Sequence, residues 1–282
     1  MNVTLLGTGA CEGIPSLWCR CPLCCHAREH GGREVRRRTS FLIGRDTIVD
    51  FGPDAKAQCE MVRLNACELK RILITHSHID HFQTVDMMWR ENCRQELKLF
   101  GSVSVLERLN DAFRKEKTSA EHLHIIPVPA HPGEEIRDGA LSILPVRAAH
   151  GEPGEIALNY LLTGEHGEKI LLLADTGWLP EKSLNALEGR NADAVVFEMS
   201  FGIRPPYSDE RAYHLGSNAV AELRRELVRR GALKTDAFTA VTHISHCSGI
   251  SHSGLERFFA GTGIVPGFDG MVIPVGVTAP RP

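Results

Sequence analysis

One segment of mixed apolar and ionisable residues limits the folds open to this chain more than any other feature. Residues 71–81 read Arg-Ile-Leu-Ile-Thr-His-Ser-His-Ile-Asp-His. The first half predicts a buried strand, and the second half supplies three imidazoles and one carboxylate directly after it. Alternation along an extended chain places His76, His78 and Asp80 on one side, and a turn into a following helix brings in His81. Imidazole and carboxylate ligands together are typical of zinc, iron or manganese sites, whereas calcium sites use oxygen ligands alone.

Three further apolar strands each end in a residue that can bind a metal. His150 follows the strand predicted over residues 141–146, Asp175 follows the strand over 170–173, and His243 follows the strand over 238–241. A single His or Asp in such a position is more often a capping or turn residue. Here four strands each end in residues that can bind a metal. Together they predict that the ends of these strands meet at one metal-binding edge of the fold.

The rest of the pattern consists of short β-rich stretches punctuated by Gly, Pro and Asp, with helices between them. Helices are predicted over residues 55–65, 81–92, 103–115, 181–188, 217–230 and 253–260. The strands come in meander-like groups, which favours an α/β (α+β) fold of packed sheets flanked by helices over a doubly wound parallel sheet. No linker, repeat or low-complexity segment divides residues 1–282, so we expect one domain.

Composition argues against several classes of protein. Hydrophobic residues make up 43% of the chain and charged residues 24%, which is ordinary for a soluble globular protein. The formal charge of -3 argues against a dedicated nucleic-acid binder, because such proteins carry a basic excess. No apolar run approaches the ~18 residues of a membrane span, and no signal-peptide pattern is visible. We therefore expect a cytoplasmic protein without a membrane partner.

The cysteines draw attention to a second part of the chain. Their number, nine, is odd, and an odd count in a cytoplasmic protein argues against a disulfide framework and favours metal binding or free thiols. Cys19, Cys21, Cys24 and Cys25 crowd together within residues 8–39. That segment is too long to be a simple loop between two strands. We therefore expect a bound ion or tertiary contacts to order it.

The motif His76-x-His78-x-Asp80-His81, followed in order by His150, Asp175 and His243, resembles the metallo-β-lactamase superfamily of binuclear metal hydrolases. The resemblance covers nearly the whole chain and implies an αββα sandwich with two metal ions at one edge of its sheets. It implies that His76, His78 and His150 hold one ion, that Asp80, His81 and His243 hold the other, and that Asp175 bridges them. The ions would be divalent Zn²⁺ or Mn²⁺, with iron as a third candidate. Such a pair activates water and stabilises the attacking and leaving oxygens of a phosphodiester.

A second set of motifs narrows the resemblance to the PhnP family of cyclic phosphodiesterases, which belongs to the carbon-phosphorus lyase pathway. The motifs are Gly7-Thr-Gly9, Gly13-Ile-Pro15, the Cys19-x-Cys21-x-x-Cys24 loop and Arg36-Arg-Arg-Thr-Ser40. In that family the cysteine loop and a distant histidine bind a structural zinc. The resemblance implies that Cys19, Cys21, Cys24 and His246 hold one Zn²⁺ in a closed tetrahedral site, which would order residues 8–39. The neighbouring Cys25 and His26 stay open as alternative ligands.

The same resemblance suggests residues for the chemistry. His214 matches the histidine proposed as general acid in such enzymes, although it also fits a helix-start or surface histidine. Asp80 is the second candidate catalytic residue. Asp50 is a candidate for orienting a ligating imidazole, with a simple turn residue before Gly-Pro as the alternative. We therefore expect a phosphoric diester hydrolase of phosphonate metabolism that acts on a small cyclic or ribosyl phosphate diester.

Three features depart from this pattern or stand apart from it. Thr84 occupies a position where the resembled motif ordinarily has glycine, which predicts a reshaped mouth beside the metals. Residues 247–270 are longer than in the PhnP type, which predicts a lid or a subunit contact. The arginines at 33, 36, 37 and 38 are expected on a solvated loop face, because Glu34 interrupts them and the overall balance is acidic.

Several other functions stay open. The PqqB family of cofactor-biosynthesis proteins has a similar cysteine loop but departs from the full histidine motif. A nuclease of the same superfamily would need a basic arm to bind nucleic acid. No such arm is evident in the sequence, so we expect no nucleic-acid partner. A metal-dependent sensor or assembly module would work through the cysteine loop and would not need the His and Asp set. The expected partner is a small-molecule phosphodiester, and a homodimer is a further expectation, because dimers are common among soluble enzymes.

Overall fold

Two seven-stranded β-sheets lie face to face in the computed structural model of the protein, which describes residues 1–203 and 213–276. The first sheet contains, in spatial order, β14 (Val272–Pro274), β1 (Asn2–Gly7), β2 (Ser40–Ile43), β3 (Thr47–Val49), β4 (Arg71–Leu73), β5 (Leu97–Gly101) and β6 (Ile125–Pro129). The second contains β13 (Ile264–Pro266), β12 (Leu233–Thr242), β11 (Ala192–Glu198), β10 (Lys169–Leu173), β9 (Leu158–Thr163), β8 (Leu141–Arg147) and β7 (Ile136–Asp138).

Six α-helices cover the outer faces of the sheets in the described part of the chain. They are α1 (Pro22–His30), α2 (Ala55–Met61), α3 (Val103–Lys115), α4 (Glu181–Leu187), α5 (Ser217–Arg229) and α6 (His252–Phe259). Helices α2 and α3 pack on the first sheet, and the other four pack on the second. The predicted αββα sandwich is therefore confirmed. Within residues 1–203 and 213–276, no helix combines the length and the apolar character that crossing a bilayer requires.

Strand β10 shows why a continuous apolar run folds in this way. Ile170 and Leu172 point into the core between the two sheets, where they join residues such as Leu73. Leu171 and Leu173 point to the other side and pack in the cluster that contains helices α4 and α5. These four side chains are fully buried, because a strand covered on both faces has no solvent side.

The helix predicted over residues 81–92 is wrong in its first turn. Residues 78–82 form a tight turn, in which the backbone N–H of Phe82 donates to the carbonyl of His78 at 2.8 Å, and only Val85–Asn92 is helical, as a 3₁₀-helix. The reason is a tertiary contact: Phe51 N–H donates to the His81 carbonyl at 2.8 Å. Gly52 permits this approach, since a Cβ there would overlap the carbonyl oxygen of Asp80.

The solvated face predicted for the arginines at 33, 36, 37 and 38 is wrong for Arg36, whereas Arg33 is exposed and Arg37 and Arg38 are partly exposed. The Arg36 side chain is buried and donates to Thr8 Oγ1 at 2.8 Å and to the Gly267 carbonyl at 2.6 Å. The other arginines are paired with acids: Arg33 with Glu256, Arg37 with Asp269 and Arg38 with Asp54. Because a buried guanidinium must be hydrogen-bonded, these partners tie the long segment to distant parts of the chain. The segment also contains helix α1, which the sequence pattern did not predict.

Residues 247–270 are part of the packed fold rather than a separate lid, and the subunit contact expected of them stays a prediction. Helix α6 buries Leu255 and Phe259 in the cluster on the second sheet. Strand β13 then extends that sheet by pairing in parallel with β12. Strands β7, β13 and β14 were missed because each has only three residues at a sheet edge.

Candidate metal centre

The candidate centre lies where strands from both sheets end. His76 follows β4, His150 follows β8, Asp175 follows β10 and His243 follows β12. Strands β10, β11 and β12 are parallel to one another, and β3 and β4 are also parallel, so their carboxyl ends share an edge. The structure brings together all seven residues for which the sequence predicts active-site metal binding.

These residues form two groups of converging ligand atoms. The first comprises His76, His78, His150 and Asp175, and the second comprises Asp80, His81 and His243; within each group the ligand atoms lie within 4.8 Å of one another. In the first group, His78 Nδ1 is 2.9 Å from His76 Nε2 and 3.2 Å from His150 Nε2. In the second, His81 Nε2 is 3.3 Å from His243 Nε2.

Asp175 lies between the two groups. Its Oδ2 atom is 3.7 Å from Nε2 of His76, 3.1 Å from Nε2 of His150, 3.6 Å from Nε2 of His81 and 3.6 Å from Nε2 of His243. One carboxylate oxygen thus faces histidines of both sets. This placement is what a ligand shared between two cations requires.

Asp50 orients two of the histidines. Its carboxylate accepts from the backbone N–H of Thr75 at 2.8 Å, from Thr75 Oγ1 at 2.9 Å and from His81 Nδ1 at 2.7 Å. His76 Nδ1 in turn donates to Thr75 Oγ1 at 3.0 Å. Both imidazoles therefore carry their proton on Nδ1 and leave the Nε2 lone pair for a metal. The fully buried Asp50 has a φ of 64°, a backbone conformation that Asp tolerates better than most residues.

Glu198 and Ser200 orient His243, and neither residue was predicted from the sequence. Ser200 Oγ donates to Glu198 Oε2 at 2.7 Å, so His243 Nδ1 donates to Ser200 Oγ, also at 2.7 Å. This fixes the His243 proton on Nδ1 and leaves Nε2 free. Glu198 is the last residue of β11 and is fully buried. Its place at the end of a further apolar strand was the available signal, the same one that identified Asp175.

These tautomers provide a test of whether the residues fit metal ions. With Nδ1 of both rings acting as a donor, His81 Nε2 and His243 Nε2 face each other across 3.3 Å, so either one shared proton or a cation must lie between the two nitrogen atoms. His150 Nδ1 is likewise 3.1 Å from the Tyr213 carbonyl, which places its lone pair on Nε2. Asp175 Oδ1 is buried and has no hydrogen-bond donor in good geometry. Buried acceptors without donors fit divalent cations.

The charges of the site favour a cation as well. Burial raises the pKa of Asp80, but His81 and His243 outweigh it and hold that pKa well below its usual range. Burial lowers the pKa of His81, but the carboxylates of Asp80 and Asp50 raise it well above its usual value. In the protein without metal, a protonated imidazole therefore balances charge that a bound metal ion would otherwise balance.

A further group of possible ligands, Asp175, Glu198, His214 and His243, overlaps with the first two. Glu198 accepts from the backbone N–H of Ser200 at 2.8 Å and from that of Leu215 at 2.5 Å, besides the Ser200 hydroxyl. Its oxygens are occupied by donors, so Glu198 acts as a support rather than a ligand. His214 Nδ1 lies 2.8 Å from Asp175 Oδ1 and 3.5 Å from Glu198 Oε1. Burial opposes its charged form, but Glu198 and Asp175 raise the pKa of His214 to about 11.

The cysteine loop forms a separate four-residue cluster. Ligand atoms of Cys19, Cys21, Cys24 and His246 lie within 4.8 Å of one another, with His246 Nδ1 3.4 Å from Cys19 Sγ and 3.7 Å from Cys21 Sγ. Burial opposes the thiolate, but His246 and the Cys24 backbone N–H lower the pKa of Cys21 to about 6. Burial and the neighbouring thiols raise the pKa of Cys24 to about 12, so a cation is needed to ionise all three. This donor set fits Zn²⁺.

The two alternative ligands lie outside this cluster. Cys25 is exposed and its Sγ contacts the Arg20 carbonyl at 3.4 Å. The His26 ring stacks on His30 with 4.0 Å between centroids, and its Nε2 lies 3.6 Å from Glu34. The structure therefore brings His246, rather than either of these residues, to the three sulfurs.

A pocket of about 420 Å³ opens beside the histidines. Ligand residues and His214 form part of its lining, and the rest includes Ala10, Glu12, Phe201 and Cys247. Thr84 does not line it; instead it precedes the 3₁₀-helix Val85–Asn92. The reshaped mouth expected from Thr84 is therefore not seen in this pocket.

Comparison with known sequences gives one family and two curated relatives. The family model of the beta-lactamase superfamily domain matches residues 45–235. An octanoyltransferase of Porphyromonas gingivalis is 28% identical over 159 residues, which are 54% of this chain and 31% of that protein. Coenzyme PQQ synthesis protein B of Methylobacterium radiotolerans is 30% identical over 123 residues, 39% of this chain and 40% of that protein. The matches thus span less than half the length of either relative.

Comparison with solved structures gives similar folds over nearly the whole chain. A diphosphatase of the PhnP family has a TM-score of 0.73 at 20% identity and covers 96% of both chains. Zn²⁺-bound PqqB from Methylobacterium extorquens has a TM-score of 0.75 at 17% identity, over 97% of this chain and 100% of that one. The short form of human tRNase Z has a TM-score of 0.67 at 17% identity, over 98% and 100%. At these identities the likeness concerns the fold.

Proposed function

The chain belongs to the metallo-β-lactamase superfamily, whose family model matches residues 45–235, and on that premise we propose that it is a metal-dependent phosphodiesterase. The substrate we propose is a small cyclic or ribosyl phosphate diester of phosphonate metabolism. One observation carries the proposal: the full set of seven ligands converges, with Asp175 Oδ2 within 3.7 Å of four histidines. The zinc-type cysteine cluster supports the PhnP-like assignment within the superfamily.

The residues assign a place to each of two divalent ions. His76, His78 and His150 would hold one, and Asp80, His81 and His243 the other, with Asp175 between them. When bound, such a pair supplies Lewis acidity toward the phosphoryl oxygens and a more acidic water. Zn²⁺, Mn²⁺ and iron all suit this mixture of imidazole and carboxylate ligands.

The protein's own residues supply the proton transfers. His214 lines the pocket, and its Nδ1 lies 2.8 Å from Asp175 Oδ1 and 3.5 Å from Glu198 Oε1, two carboxylates that favour the protonated ring. We assign it the role of giving a proton to the leaving oxygen, a step worth about 10² to 10⁴-fold in rate. Asp80 also lines the pocket and stays ionised, which suits it to orient the attacking water.

Two observations favour a small diester over the alternative substrates. The pocket lining in the described part of the chain contains no Lys or Arg, and the whole chain has a net charge of -3, whereas a nuclease needs a cationic surface for the backbone. All histidines of the motif converge on a ligand position, which a PqqB-like protein or a sensor that works through the cysteine loop would not need.

The test is hydrolysis by the purified protein after loading with Zn²⁺ or Mn²⁺. Bis(p-nitrophenyl) phosphate and a panel of cyclic ribose phosphates are offered, with a short RNA as the competing substrate. We expect turnover of the small diesters that is abolished in His76→Ala and retained in His131→Ala, an exposed histidine that serves as the matched control. Failure to hydrolyse any of the diesters defeats the proposal, and cleavage of RNA alone points to a nuclease.

A further inference from the structure

Glu155 is a buried ionisable residue in a loop whose other residues largely face solvent. The loop covers residues 148–157 and joins strands β8 and β9. Residues 152–154 and Ile156 are exposed, whereas Glu155 is only 8% exposed. A loop that buries a glutamate and exposes an isoleucine reverses the usual preference of the two side chains. Because burying a polar group is costly unless it is hydrogen-bonded, a specific contact must hold Glu155 inside.

That contact is with the backbone of the histidine motif. Ser77 N–H donates to Glu155 Oε1 at 2.7 Å, and Ser77 lies between His76 and His78. The other side-chain oxygen, Oε2, accepts from Glu152 N–H at the longer distance of 3.4 Å, within the loop itself. The shorter bond of Glu155 therefore leaves its own loop and reaches the turn that carries two metal-binding histidines.

Two segments supply the three histidines assigned to one of the ions. Residues 76–78 supply two of them, and the loop of residues 148–157 supplies His150. One link between the segments is a backbone bond in which Leu158 N–H donates to the Thr75 carbonyl at 2.7 Å. The glutamate side chain forms a second link, and this one joins the loop to the residue between two ligands. It therefore constrains where the two segments place their imidazoles.

Building on the two-ion centre of the proposed function, we propose that Glu155 is a positioning residue for one ion. It holds the loop of residues 148–157 against the turn of residues 76–78, so that the three histidines of that ion converge. Glu155 is not among the described residues that line the pocket, so it acts on the ligands and not on the substrate. Asp50 supports the other ion through His81, which gives each ion a support of its own.

Chelator competition on the purified, metal-loaded protein tests this role without turnover. We expect Glu155→Ala to bind one active-site ion about 10- to 100-fold more weakly and to retain the zinc of the cysteine cluster. Glu155→Gln keeps an oxygen for Ser77 N–H and should restore most of the affinity. Glu155→Asp is too short to keep this bond and should weaken the same ion. Glu165→Ala, the same truncation at an exposed glutamate between β9 and β10, is the matched control and should change neither affinity.

A second set of variants identifies which ion is affected. His150→Ala removes a ligand of the ion that Glu155 is proposed to support, so the ion that stays tightly bound is the one held by Asp80, His81 and His243. Adding Glu155→Ala in this background should not weaken that ion further, whereas adding Asp50→Asn should. The visible absorption of the Co²⁺-substituted proteins reports the same difference as a change at one ion only.

Thermal unfolding shows whether each variant is folded, and the Gln and Asp variants test the role if Glu155→Ala is not. Three results would overturn it: wild-type affinity in folded Glu155→Ala or Glu155→Asp, equal weakening by Glu155→Gln and Glu155→Ala, or a further loss in the His150→Ala background. The proposed function is tested separately by diester hydrolysis. A protein in which the affinity of one ion follows Glu155 but which hydrolyses no diester supports this inference and refutes the phosphodiesterase.

Discussion

Replacing Asp50 by Asn tests whether one buried carboxylate sets the protonation of the metal-binding histidines. Asp50 accepts from Thr75 and from His81 Nδ1, and it is fully buried. Asn occupies the same volume and also tolerates the φ of 64° at this position, so the backbone cost is small. Its amide, however, places a donor where His81 needs an acceptor. The His81 proton then moves to Nε2, the atom that faces His243 across 3.3 Å.

The size of the effect follows from the hydrogen bonds that change. Thr75 can turn its hydroxyl toward the amide oxygen, so the lasting loss is the bond from His81. A hydrogen bond to a charged group contributes about 1.5–3 kcal/mol. A loss of about 2 kcal/mol corresponds to about 30-fold weaker binding of the ion held by Asp80, His81 and His243, within the 10- to 100-fold that is usual for such supporting residues.

Chelator competition on the purified protein measures this change directly. We expect Asp50→Asn to bind one active-site ion about 30-fold more weakly while the zinc of the cysteine cluster is retained. Asp236→Asn, the same chemical change at an exposed position of β12, is the matched control and should bind metal as the wild type does. Equal metal affinities in the two variants would refute the idea that Asp50 sets the tautomer.

Two other predictions concern the remaining parts of the centre. Cys21→Ala should release one zinc ion and, for a loss of about 3 kcal/mol in a chain of this size, lower Tm by about 6–12 °C. His76→Ala should keep that ion, and disappearance of the same ion in both variants, measured by mass spectrometry, would contradict two separate sites. His214→Gln should lower kcat by about 10² to 10⁴-fold with an unchanged metal content. A normal kcat in that variant would remove His214 from the proton-transfer step.

The site residues that could be predicted from the sequence are those that directly follow an apolar strand. Asp175 follows an apolar run that is buried on both faces, so the end of that run marks both the strand and the ligand. Glu198 has the same signal, because it is the last residue of the apolar strand β11. Its function depends on hydrogen bonds with Ser200 and through it with His243. Hydrogen bonds between side chains produce no repeating pattern in a sequence, so they cannot be predicted from periodicity.

The failures came where distant contacts outweigh local preference. Arg36 belongs to a charged run that locally indicates a solvated surface, yet it hydrogen-bonds to Gly267, a residue more than two hundred positions away. His81 stands at the start of a segment with helical periodicity, but pairing with Phe51 takes its backbone out of the helix. In both cases the deciding partner is far along the chain, where sequence patterns carry no information about proximity.

The short stretch after β12 has a consequence for how the molecule matures. His243 and His246 are separated by only two residues, and Ile244 between them is fixed through Thr8 and Ala10, the former accepting its N–H at 2.9 Å. A shift of one imidazole must therefore displace the other. A newly made chain without an ion at its cysteines is therefore expected to hold His243 less firmly, which links the filling of the proposed zinc site to the assembly of the proposed catalytic edge.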